Sequence, residues 1–280
     1  MKIKLYWLTS ILIITTLVFS VTVAASMLIP ANDRAKENAR VLENSPVITE
    51  TESGEWDLER VDFIHYVKSS NPSNQPKTET CYKLLGVKWP TLPVNYVINP
   101  VNPQGLTEDF VTSTISTSAE IWDAATMSEL FNNVYTVDYN VQYGVQNFVN
   151  TIAFGDYPDN NVIAVTSIWY TRRGKQIVEF DQLYNTRYTW GDAVINPSVM
   201  DLQNIVTHEL GHGVGLGDIY STACSTVTMY GYSNYGETSK RSLGQPDITG
   251  LQKMYGAWTF LFHLSLSKTK YTNLKSTSYN

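Results

Sequence analysis

Histidine and cysteine are scarce in this chain, with four and two copies, and the scarcity excludes whole classes of protein. Two cysteines cannot staple a small disulfide scaffold or fill a four-thiolate metal site. His65, His208, His212 and His263 are too few for two histidine-rich metal centres, so at most one is expected. Basic residues are outnumbered, 20 Lys and Arg against 26 Asp and Glu, for a net charge of −6. No basic cluster offsets that balance, and nucleic acid is not an expected partner. Internal repeats are absent as well, which removes solenoid and propeller architectures. What remains is 280 residues, enough for one domain with a sizeable core and flanking segments.

Charge is also missing from the start of the chain. After Lys2 and Lys4 no charged residue occurs until Asp33, and Leu, Ile and Val crowd the stretch from Leu8 to Val23. Residues 1–26 read as a signal peptide ending near Val23-Ala24-Ala25 or, uncleaved, as a signal anchor. Either places the remainder outside the cytoplasm, secreted or anchored, with the membrane touched only through this segment. Residues 27–80 are polar and read as a pro-segment or linker, Ser69 to Pro76 being rich in Ser, Asn and Pro. Within them, Trp56 to Val67 alternates in polarity and suits one isolated strand, on which His65 reads as a surface residue without chemistry.

The densest chemistry lies in Thr207-His208-Glu209-Leu210-Gly211-His212-Gly213-Val214-Gly215-Leu216-Gly217-Asp218. On a helix His208 and His212 leave one face a turn apart, the spacing that lets two imidazoles share one metal ion. Glu209 sits about 100° round the helix from His208, where a general base can reach a water beside the metal. Gly215 and Gly217 let the chain turn sharply after the second histidine and bring Asp218 back. Two imidazoles and one carboxylate leave a fourth tetrahedral position open, as catalytic rather than structural zinc requires.

His208-Glu209-x-x-His212-x-x-Gly215-x-x-Asp218 resembles the extended zinc motif of the metzincin metalloproteases, with Asp in the place where most members carry a third His, as in snapalysin-like ones. Thr228-Met229-Tyr230 is similar to the metzincin Met-turn, whose methionine underlies the metal. Asp201 to Thr207 looks like the start of a matrixin active-site helix, and Leu243 to Gly256 like the closing helix of a matrixin domain. Ile177 to Asn185 is similar to a strand of bacterial and archaeal matrixin-like enzymes. The resemblance runs from about Lys83 to Gly256 and implies an α+β, zincin-like catalytic domain over 81–257. Its sheet would be mixed, mostly parallel and twisted, with long helices that include the active-site and C-terminal ones. It further implies a zinc endopeptidase acting on proteins or peptides, with Glu209 as base, His208, His212 and Asp218 as ligands, and Tyr230 or Tyr232 supporting the oxyanion. A monomer is expected.

The chain between these landmarks reads as Val94 to Ile98, a strand; Thr107 to Phe131, a helix capped by Thr107 and burying Trp122; and strands over Val134 to Tyr143, Asn150 to Phe154, Val162 to Tyr170 and Gln176 to Tyr184. Ile163-Ala164-Val165 looks like the family's edge strand, and an exposed edge can hold an extended peptide by strand addition. The acidic turn Gly155 to Asn161 has oxygen ligands that suit calcium. Export permits a disulfide between Cys81 and Cys224. Its rival is a Cys81 thiolate capping the zinc, although Thr80-Cys81-Tyr82 does not resemble the Pro-Arg-Cys-Gly of matrixins that use such a switch. The tail, 258–280, contains an apolar stretch from Phe260 to Leu266 that is too short to span a bilayer.

Overall fold

A computed structural model describes residues 57–68 and 80–257; the expected signal segment, most of the polar stretch before Thr80 and the tail lie outside them. Among the described residues three α-helices are laid down by local signals. In α1 (Glu108–Asp123), the Thr107 side chain accepts the Phe110 N–H, Glu108 and Asp109 face the positive helix end, and Val111, Ile115, Ala119 and Trp122 form the buried stripe. The helix stops at Asp123 instead of running to Phe131. Asp123 Oδ1 accepts the N–H groups of Leu130 and Phe131, folding the chain back over the helix end. In α2 (Leu202–Gly213), Asp201 caps Asn204 N, and almost every residue is buried. In α3 (Gln245–Tyr255), Asp247 accepts the Gly244 N–H. Among the described residues no helix is long and apolar enough to cross a membrane.

The strands are β1 (Leu58–Val67), β2 (Lys83–Leu84), β3 (Val97–Asn99), β4 (Thr136–Val137), β5 (Thr151–Gly155), β6 (Val162–Thr171), β7 (Ile177–Asn185), β8 (Trp190–Gly191), β9 (Met200–Asp201), β10 (Leu216–Gly217) and β11 (Tyr232–Ser233). Seven of them form a mixed sheet in the order β11-β1-β6-β7-β5-β3-β4. Pairs β11-β1, β7-β5, β5-β3 and β3-β4 are parallel, while β6 is antiparallel to both neighbours. The sheet face carrying Phe63, Ile168, Phe180 and Tyr184 packs with α1 and α2 into one core, consistent with an α+β, metzincin-like fold. The other face carries Glu179 and Asp181, whose carboxylates accept N–H groups of Asn147, Phe148 and Gly144 from a loop laid across it.

Three expectations are corrected. Trp56 to Val67 does not make an isolated strand: β1 pairs with β6 from Leu58↔Thr171 to Tyr66↔Val162 and with β11 at Tyr66↔Tyr232. Ile163, Ala164 and Val165 therefore do not form an edge, because β1 and β7 occupy both sides of β6. The alternation of Val134 to Tyr143 yields only β4, since Asn99 Nδ2 donates to the carbonyls of Tyr139 and Val141 and diverts that stretch into a loop.

Beyond α2 the chain turns at Gly215, whose φ is 98° and where a Cβ would lie 2.5 Å from Val87 O; only glycine fits both. Cys81 and Cys224 are disulfide-bonded, tying the entry of the domain to the loop before Met229.

Candidate active site

His208 and His212, both buried, leave α2 side by side. Each Nδ1 faces a backbone carbonyl, Thr228 O at 2.7 Å and Leu216 O at 2.8 Å. A carbonyl only accepts, so Nδ1 carries the proton and Nε2 presents a lone pair. The two Nε2 atoms are 3.1 Å apart, and Asp218 Oδ1 lies 3.2 Å from one and 3.5 Å from the other. Ligands about 2.0–2.1 Å from a tetrahedral zinc are separated by roughly 3.3 Å. This triangle has that size. Asp218 Oδ1 is also buried without a hydrogen-bond partner, so two lone pairs and a carboxylate oxygen converge on a point that only a proton or a cation can satisfy. Burial pushes the His212 pKa down, but the Asp218 charge outweighs it and the net direction is up. Burial likewise opposes ionisation of Asp218, yet the His212 and His208 rings hold it well below the carboxylate range. The donor set, two neutral imidazoles and one carboxylate, fits zinc.

Glu209 is buried beside them and both of its oxygens are engaged. His65 Nδ1 donates to Oε1 at 3.0 Å and Thr166 Oγ1 donates to Oε2 at 2.6 Å. Burial alone would raise its pKa, but the His65 hydrogen bond and the neighbouring His208 bring it below the usual value. His65 is itself pushed down to about 4, chiefly by burial and by His208 beside it, so it is a neutral donor at pH 7. Its Nε2 meets Ser233 Oγ at 3.1 Å, and that hydroxyl accepts from Lys240 Nζ at 2.9 Å. A buried chain thus runs Lys240, Ser233, His65, Glu209. His65, expected on the surface, is 1% exposed; with both ring nitrogens hydrogen-bonded it is no spare ligand.

Tyr220, which local spacing did not single out, donates to Asp218 Oδ2 at 3.0 Å. Of the two tyrosines expected near the oxyanion, Tyr230 packs with Ile219, Cys224 and Val227, and Tyr232 lies in β11 with its ring 5.3 Å from that of Tyr220. Met229 is buried under Gly211, where a Cβ would come 2.3 Å from Met229 Sδ. Trp122 packs against the same glycine, its ring 2.7 Å from where that Cβ would be, and donates from Nε1 to Thr207 O at 2.8 Å. In the acidic turn, Asp156 is paired to Arg187, which also donates to Pro158 O and Asn160 Oδ1. A guanidinium thus already engages the oxygens of this turn.

A family model described as Matrixin matches residues 88–256, more than half of the chain. The chain belongs to the matrixin family. Human neutrophil collagenase is 28% identical over 171 residues, 60% of this chain and 33% of the collagenase, so the chain spans about a third of that relative's length. In this matrixin the matched span opens at Lys88. Strand β1, which brings His65 to Glu209, lies outside it.

Proposed function

We propose that this matrixin is a zinc-dependent endopeptidase working outside the cytoplasm, secreted or anchored. The observation that carries the reading is the triangle of His208 Nε2, His212 Nε2 and Asp218 Oδ1 beside the Glu209 carboxylate. His208, His212 and Asp218 would hold a zinc ion, which would supply Lewis acidity toward the water and the scissile carbonyl. The rest is the work of this chain's own groups. Glu209, anchored through Oε2 by the Thr166 hydroxyl, takes the proton of the attacking water and returns it to the leaving amine. Tyr220 fixes the orientation of Asp218, and the carbonyls of Thr228 and Leu216 fix the two imidazoles. Met229 serves as the Met-turn floor, and Tyr230 or Tyr232 supports the oxyanion. The resemblance of the motif with Asp as third ligand and of the stretch Ile177 to Asn185 to bacterial and archaeal matrixin-like enzymes supports assigning the chain to that type. The Cys81–Cys224 bond supports an oxidising compartment.

The test compares the zinc-loaded chain with its Glu209→Gln variant on unfolded casein, with zinc quantified in both. The expected result is about one zinc per chain in each and a rate lower by roughly 10²–10⁴ in the variant. Equal, measurable cleavage by both would refute Glu209 as base, and a chain that takes up no zinc would refute the reading itself.

A further inference from the structure

On the peptidase reading, the site must admit an extended polypeptide, yet the structure closes it. His208 and Glu209 are 0% exposed, His212 1% and Asp218 4%. We propose that β1, Leu58–Val67, is a built-in occupant of the peptide cleft, holding the enzyme latent until the strand is displaced or cut away; this rests on the proposed endopeptidase function.

Backbone placement is the first support. β1 lies between β6 and β11, antiparallel to one over nine register pairs and parallel to the other. An extended chain sharing main-chain hydrogen bonds with both walls of a groove is held as a peptide ligand is held by strand addition. With β1 gone, Ile163 to Val165 would become the open edge that the sequence leads one to expect.

The side chains that β1 turns towards α2 supply the second. Phe63 stacks on His212 with ring centroids 4.2 Å apart, His65 lies 4.0 Å from the His208 ring, and His65 takes Glu209 Oε1. With Thr166 on Oε2 as well, each carboxylate oxygen already accepts a hydrogen bond while the strand is seated, so a water must compete with His65 for Oε1. A strand that merely extended the sheet would have no need to engage the base and a candidate ligand together.

Connectivity is the third. β1 precedes the matrixin span, which begins at Lys88, and is joined to it through the Ser, Asn and Pro-rich stretch Ser69 to Pro76. The disulfide fastens Cys81 to Cys224. A cut between residues 68 and 81 would therefore release β1 while the remainder stays pinned.

The experiment places a recognition site for a specific protease within Ser70–Gln75 of the full chain, with an affinity tag on the N-terminal side. After zinc loading and cutting, the N-terminal fragment is removed. Casein cleavage, zinc content and amide exchange across Ile163–Val165 are then followed, before and after adding a synthetic 57–68 peptide. Removal is expected to raise cleavage by ~10-fold or more, leave zinc at about one per chain, expose the β6 amides to exchange, and be reversed by the peptide. A His65→Ala peptide should inhibit ~10-fold less well. In the uncut chain, Phe63→Ala is expected to raise cleavage, a check that leaves the strand present. A cut chain that cleaves no faster, or that loses its fold and zinc with the fragment, overturns the proposal, because β1 is then structural. If the strand-free chain binds zinc and the peptide but cleaves nothing, β1 remains the occupant of the groove and the peptidase reading fails instead.

Discussion

Gly211 sits between the two histidines on α2, and replacing it with Ala sets two effects of known size against each other. Ala is favoured over Gly inside a helix by about 1 kcal/mol. The new Cβ, however, would lie 2.3 Å from Met229 Sδ and 2.7 Å from Trp122 Cζ2, well inside van der Waals contact. Trp122 is fully buried and its indole N–H is committed to Thr207 O. The Met229 backbone is held by Asp247 Oδ1. Neither neighbour can retreat freely, so the overpacking cost falls at the upper end of the usual ~1–3 kcal/mol. The net is a destabilisation of about 2 kcal/mol, or roughly 4–8 °C in Tm for a domain of this size. Calorimetry on the zinc-loaded chain measures it, with Gly213→Ala as control; there the new Cβ is 3.4 Å from Phe180 Cδ1, an ordinary contact. A Gly211→Ala chain as stable as the parent would refute the argument that this glycine exists to admit Met229 and Trp122.

Three further predictions follow from the polar groups. Tyr220→Phe removes the hydrogen bond to Asp218 Oδ2 and is expected to weaken zinc affinity by about 10–100-fold, read by competition with a chelator; unchanged affinity would make that contact incidental. Asp247→Ala strips the acceptor from the N–H groups of Thr228, Met229 and Gly244, at about 1–3 kcal/mol for each one left buried and unpaired. A urea midpoint within error of the parent would show that water replaces the carboxylate. Asp181 is raised from 3.8 to about 7, first by burial, with the N–H groups of Gly144 and Thr151 offsetting only part. Between about pH 4 and 7 the unfolded chain ionises this group while the folded chain keeps it protonated, so its contribution to stability falls as pH rises through that window and is flat above it. The stability of the parent minus that of Asp181→Asn should accordingly fall from pH 5 to pH 8 in urea melts; a value that stays constant or rises contradicts the assignment.

How much of this was legible in the sequence depends on the range of each contact. His208, Glu209 and His212 are fixed by helix periodicity, and Asp218 by a glycine-permitted turn, all within eleven residues; such spacings survive folding because nothing distant is needed to set them. The caps of α1 and α2 are equally local. His65 and Thr166 reach Glu209 across 144 and 43 residues, and no spacing announces that. A strand with alternating polarity reads alike whether it lies alone, at an edge or inside a sheet, so the placement of β1 and the loss of the β6 edge were both invisible. The alternation over Val134 to Tyr143 misled for the converse reason, because Asn99 captures two carbonyls that a ladder would need.

The contacts around the site divide into two sets, and the division has a consequence for how it would work. The metal ligands are oriented by Thr228 O, Leu216 O and Tyr220, all from the chain after α2. The base is held by His65 and Thr166, both from the sheet. Withdrawal of β1 would thus remove one partner of Glu209 and the Phe63 ring from His212, while leaving every hydrogen bond that orients a ligand in place. Thr166 stays with β6, so the carboxylate would keep one anchor while Oε1 lost the donor that competes with a water for it. On this proposal the chain would bind its metal before it could use it, and the strand would set the order of the two events, since the hydrogen bonds that orient the ligands are ones the strand does not make.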